Sequence, residues 1–140
     1  MSEAVFSGSC LCGSVAYEIT GQVLGFYHCH CERCRKATGT GHASNILLAP
    51  SGVTWTSGQS MLRTYKVPEA KVFKTQFCSN CGSLMPRFRD DMSVCVLPAG
   101  TLDHDPGLEP EARIFGGSRA SWSCDARELP QFEEYPPRPG

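Results

Sequence analysis

The sequence is poor in three features. It contains no run of about 18 consecutive apolar residues, which excludes a helical membrane span on length. Its first residues, Met1-Ser2-Glu3-Ala4-Val5-Phe6, carry neither the basic patch nor the apolar stretch of a secretory leader, so the expected location is the reducing cytoplasm. It has no excess of either charge: 13 Lys and Arg against 14 Asp and Glu leave −1, with a pI near 6.4. That balance removes the electrostatic drive toward nucleic acid, which needs clustered Lys and Arg.

Cysteine, in contrast, is abundant: nine in 140 residues. In a reducing compartment such a count reads as metal ligands or reactive thiols rather than disulfides. Seven fall in tight groups, namely Cys10 and Cys12, then Cys29, Cys31 and Cys34, then Cys78 and Cys81. Cys95 and Cys124 stand alone and are expected to be small buried hydrophobes.

Patterning predicts one mainly β domain over 1–140 with a single short helix. Strands are expected over 15–19, 42–48, 53–56, 61–66, 72–77, 85–89, 93–98 and 112–115, with Ser7 to Gly13, Gly21 and Pro50-Ser51-Gly52 as turns. Glu32 to Thr38, closed by Gly39, has helical composition and follows directly on the three-cysteine motif. The prolines of the final segment rule out a regular helix there, leaving Phe132 and Tyr135 as candidates to pin it to the body.

Cys78-x-x-Cys81-Gly82 and Cys10-x-Cys12-Gly13 each offer two thiolates from one turn, with glycine where the chain folds back. Together they complete a Cys₄ tetrahedron. The alternative pairing joins Cys78 and Cys81 to the central group and leaves Cys10 and Cys12 spare. In the first arrangement Cys29, Cys31 and Cys34 form a second site. Three thiolates on Zn²⁺ leave a net −1, a weak Lewis acid for making hydroxide but one suited to accepting a substrate thiol at a fourth position. Closure of that position by His28, His30 or His42 would instead give an inert Cys₃His site. Arg33, Arg35 and Lys36 bring positive charge beside these thiolates, and Arg35 and Lys36 are candidates to hold the carboxylates of an anionic thiol.

The order Cys10-x-Cys12-Gly13, Cys29-His30-Cys31-x-x-Cys34-Arg35-Lys36-x-x-Gly39 and Phe77-Cys78-x-x-Cys81-Gly82 resembles the glutathione-dependent formaldehyde-activating (GFA) family of carbon–sulfur lyases. Ile114-Phe115-Gly116-Gly117-Ser118-Arg119-Ala120-Ser121-Trp122 and Leu129-Pro130-Gln131-Phe132 look like its closing segments, so the resemblance runs from about 7 to 137. It implies a β-tent of short antiparallel sheets around a structural zinc held by Cys10, Cys12, Cys78 and Cys81. It further implies a second, catalytic zinc on Cys29, Cys31 and Cys34, so two Zn²⁺ per chain. The implied chemistry joins a thiol such as glutathione to formaldehyde. His30, His42 and His104 are acid–base candidates by residue type alone. The competing readings are a non-catalytic zinc module that binds other proteins and a thiol or metal sensor.

Overall fold

The computed structural model describes residues 2–124 and 128–138; the outermost ends of the expected 1–140 domain and residues 125–127 lie outside these. The chain is mainly β, as its patterning predicts. The larger sheet has the order β1 (Ala4–Ser9), β2 (Ala16–Cys29), β3 (Ala43–Ser57), β8 (Cys95–Pro98), β7 (Arg87–Phe88), all antiparallel, and β9 (Ala112–Ile114) lies parallel to the end of β2. The smaller sheet is β4 (Leu62–Lys66), β5 (Lys74–Cys78) and β6 (Leu84–Met85). One α-helix, α1 (Glu32–Thr38), follows the three-cysteine motif.

Four segments differ from the sequence reading, each for a packing reason. Ser7-Gly8-Ser9 looks like a turn but completes β1, because the Tyr17 ring lies against Gly8. A Cβ on Gly8 would meet the Tyr17 hydroxyl at 2.3 Å. Gly21 and Pro50-Ser51-Gly52 do not interrupt their strands. They face one another across β2 and β3, where a register shift absorbs them and the missing proline N–H goes unneeded. The expected strand over 85–89 is split at buried Pro86: β6 stays in the small sheet while β7 joins the large one. The Gln76 side chain donates to the Pro86 carbonyl at 2.7 Å and secures the crossing.

The core gathers Phe6, Tyr17, Ile19, Ile46, Leu48, Met85 and Leu97, all at most 1% exposed. Cys95 is buried with them, as expected, whereas Cys124 is only half-buried. Phe132 and Tyr135 are exposed and do not pin the tail. Among the described residues no helix is long and apolar enough to cross a membrane.

Strand alternation gives the large sheet two faces. Ile46, Leu48, Cys95 and Leu97 point into the core, while Asn45, Leu47, Val96 and Arg87 line the opposite face. Ile46→Ala should therefore cost about 2–5 kcal/mol of stability in denaturant unfolding. Leu47→Ala should cost much less, and equal losses would contradict this division of faces.

Candidate metal centre and cleft

Two groups of sulfurs converge. Cys10 and Cys12 leave the end of β1, and Cys78 and Cys81 leave the end of β5, so the first group joins the two sheets. Each knuckle closes on a glycine in the left-handed region, Gly13 at φ 78° and Gly82 at φ 79°. Their N–H groups donate to the carbonyls of Cys10 and Cys78 at 3.0 and 2.8 Å. The Sγ atoms of Cys10 and Cys12 lie 3.6 Å apart, and those of Cys12 and Cys78 3.9 Å. Tetrahedral Zn–S bonds of about 2.3 Å would set sulfurs roughly 3.8 Å apart, so the four thiols fit such an ion. Two are already biased toward thiolate. The Ser14 hydroxyl, then Asn80, lowers Cys12 to about 7, and the Ser83 hydroxyl lowers Cys81 to about 5.

Cys29, Cys31 and Cys34 form the second group, their sulfurs within 4.8 Å of one another. Cys29 ends β2. Cys31 is the N-cap of α1, its sulfur accepting the Cys34 N–H at 3.3 Å, so helix capping itself sets the spacing of the last two thiols. Gly39, left-handed at φ 73°, ends the helix by donating to the Arg35 carbonyl. Burial raises the pKa of Cys29 and Cys34. For Cys31 burial acts in the same sense, but hydrogen bonds from the Cys34 backbone and side chain outweigh it and the shift is downward. Ionising all three in this partly buried place requires a cation nearby, a role a soft divalent ion fits.

No histidine nitrogen joins this group among the described residues. His30, one residue past β2, is fully buried and does not line the cleft that the thiols line. Its Nε2 accepts from Arg113 Nη1 at 3.0 Å, which leaves Nδ1–H to donate to the Gly41 carbonyl at 3.1 Å. That double engagement holds the ring neutral and removes it as an acid–base candidate. His28 and His42 stack on each other at 3.9 Å, and burial, then His28, lowers His42 to about 4. His104 accepts the Ser7 N–H at an exposed position beside β1.

The three thiols line a cleft of about 590 Å³. Its walls are Tyr27, Leu47, Val96 and Asn45 from the large sheet, Phe73 from the approach to β5, Ile114 at the end of β9 and Phe115 just beyond it. Phe115, 64% exposed and held at φ 53°, sits on the rim. Three cations border the cleft: Arg33 and Lys71, both exposed, and the half-buried Arg87. Burial lowers the pKa of Arg87, opposed by Cys34, Cys29 and Cys31.

The two anchors expected from sequence lie elsewhere. Lys36 borders an adjoining cleft of about 490 Å³ that shares Glu32, Arg33 and Phe73 with the first. Arg35 lines neither cleft, and its Nε is enclosed without a partner. Helical geometry accounts for Arg35: at about 100° per residue it lies about 160° around α1 from Arg33, which borders both clefts. Sequence reasoning missed Lys71, Phe73, Asn45 and Arg87. The signals were an amide opening the apolar run Asn45-Ile46-Leu47-Leu48 and a charge between apolar Pro86 and Phe88.

Comparison with known proteins gives two findings. The family model described as glutathione-dependent formaldehyde-activating enzyme matches residues 5–118. A structural-genomics crystal structure of a Rhodobacter sphaeroides protein superposes with a TM-score of 0.57, covering 76% of this chain and 97% of its own, at 22% identity; that likeness speaks for the fold alone. A search of curated proteins returned no significant match.

The two thiol groups should differ in their consequences. Cys78→Ser removes one of the four thiols that meet between the sheets and, if they hold a metal ion, is expected to cost about 4 kcal/mol or more, or to abolish folding. Cys31→Ser touches a loop and a helix cap and should cost about 1 kcal/mol. Thermal melts in the opposite order would overturn the assignment. Under mild chelation, metal analysis should find one ion per chain retained and a second lost.

Proposed function

The chain belongs to the glutathione-dependent formaldehyde-activating family, and from that premise we propose that it is a zinc-dependent carbon–sulfur lyase. Its substrate would be the adduct of a small anionic thiol, of the glutathione type, with an aldehyde such as formaldehyde. The observation that carries this reading is the convergence of Cys29, Cys31 and Cys34, without a histidine, inside a cleft bordered by cations. A purely structural site needs neither an open ligand position nor a cleft.

Cys10, Cys12, Cys78 and Cys81 would hold a structural zinc and Cys29, Cys31 and Cys34 a second ion. When bound, that second zinc supplies a soft Lewis acid that favours sulfur as thiolate at neutral pH. The remaining work belongs to the side chains. Arg33 and Lys71 at the cleft mouth attract the carboxylates of the thiol. Lys36, across the shared wall of Glu32, Arg33 and Phe73, suits the distal carboxylate of a peptide-sized thiol. Leu47, Val96 and Phe73 shed water from the reacting sulfur.

Cobalt-substituted protein tests the reading directly. Glutathione should alter the thiolate-to-metal charge-transfer bands as a fourth sulfur joins the other three, and bands indifferent to every thiol would sink the proposal. Lys71→Ala or Arg33→Ala should weaken a carboxylate-bearing thiol roughly 5- to 100-fold, as expected for a charged contact of about 1–3 kcal/mol. An uncharged thiol should bind both variants as it binds wild type, and Arg35→Ala should leave both thiols unaffected.

A further inference from the structure

The cleft holds two hydrogen-bond donors that the fold does not use. Asn45 is only 8% exposed, yet its carboxamide makes no hydrogen bond among the described residues. Arg35 Nε is the one fully enclosed side-chain nitrogen or oxygen without a partner among them, so the Asn45 amide is not sealed in protein. It lines the cleft together with the three cysteines, and also a smaller adjoining cavity of about 200 Å³ that shares Cys34, Phe73 and Arg87 with that cleft.

Arg87 is reached across the same sheet face. Leu47, two residues along β3 from Asn45, pairs with Val96, and Val96 pairs with Arg87. The guanidinium lies 4.9 Å over the Phe73 ring and makes no hydrogen bond or ion pair among the described residues. Stacking engages the face of a guanidinium and leaves its in-plane N–H donors free.

We propose that Asn45 and Arg87 form a donor pair that holds the negatively charged oxygen of the thiol–aldehyde adduct as its carbon–sulfur bond forms or breaks. This rests on the lyase reading above. In the adding direction a sulfur lone pair forms the C–S bond, the carbonyl π pair moves onto oxygen, and that alkoxide takes a proton from water. In the cleaving direction the hydroxyl proton goes to water, the carbonyl re-forms, and the C–S pair leaves with the sulfur. Both directions develop charge on an oxygen two bonds from sulfur, and a thiol seated at the cysteines brings that oxygen within the same cleft. Arg87 remains protonated throughout and acts as a donor and fixed charge rather than as an acid. A neutral amide beside it argues for hydrogen bonding to one oxygen, not simply for balancing thiolate charge. Preorganised donors of this kind contribute about 10²–10³ in rate each.

Binding separates the idea from the overall activity. S-(Carboxymethyl)glutathione carries an anionic oxygen close to the position of the alkoxide, and S-propylglutathione carries none. Calorimetry on the zinc-loaded protein should show the first binding at least about tenfold more tightly, with that preference falling below about threefold in Asn45→Ala and Arg87→Gln. Arg87→Lys should keep only part of it, having lost the fork. Asn45→Asp, similar in size but anionic, should reverse the preference and serves if Arg87→Gln does not fold. Equal binding of the two conjugates by wild type would overturn the donor pair. So would an Arg87→Gln variant that weakens both conjugates alike, since that marks simple charge compensation. If wild type binds neither conjugate yet separates mercaptoacetate from ethanethiol through Asn45 and Arg87, the donor pair stands and the glutathione reading falls.

Discussion

The meeting of Cys10 and Cys12 with Cys78 and Cys81 is the constraint on which the remaining architecture depends. The first pair continues an edge strand of the large sheet and the second ends the middle strand of the small one. Met85 of the small sheet also packs into the core of the large one, with Met61 and Leu62 against it. A metal ion held by these four thiols would contribute folding free energy on the order of 10 kcal/mol, comparable with the whole net stability of an ordinary domain, about 5–15 kcal/mol. The same junction sets one wall of the cleft. Phe73 and Lys71 approach along the segment entering β5, while Leu47, Val96 and Arg87 belong to the large sheet. The relative position of the sheets is thus also the width of the site.

The large sheet divides its residues between stability and chemistry by simple alternation. Ile46, Leu48 and Leu97 fill the core, and the residues between them face the thiols. The same alternation sends Cys29, the last residue of β2, to the cleft, while His28 before it and His30 just past the strand do not line it. The histidines there support the site. His30 links the Gly41 carbonyl to Arg113 of β9, and its backbone N–H donates to the Ile114 carbonyl. Together these bonds fix the parallel strand that carries Ile114 and Phe115 to the cleft rim. A sequence view that counts His-Cys-His-Cys as neighbouring ligands overlooks this division.

Much of the site was legible in advance because its determinants are local. Thiolate spacing within one turn, a left-handed glycine closing each knuckle, and a capped seven-residue helix ended by Gly39 each depend on a handful of consecutive residues. The mainly β character followed from equally local alternation. Strand limits were less legible. Gly21 and Pro50 read as breaks because a lone strand cannot accommodate them, yet each is tolerated where a register shift in the facing strand takes up the irregularity.

By itself, then, the amino-acid sequence determined the number and grouping of the thiols, the helix that spaces Cys31 from Cys34, and the family to which the chain belongs. Only the tertiary structure decided which half-sites meet and which charges reach the cleft. Arg35 looked like an anchor from its neighbours in sequence and points away from it, whereas Arg87, more than fifty positions after Cys34 in the chain, faces the thiols through the register of β3, β8 and β7. The physical reason is range. Metal ligation within a turn and helix capping act over three or four residues, while the side chains that line a cleft are chosen by strand pairing between distant segments, which no local pattern records.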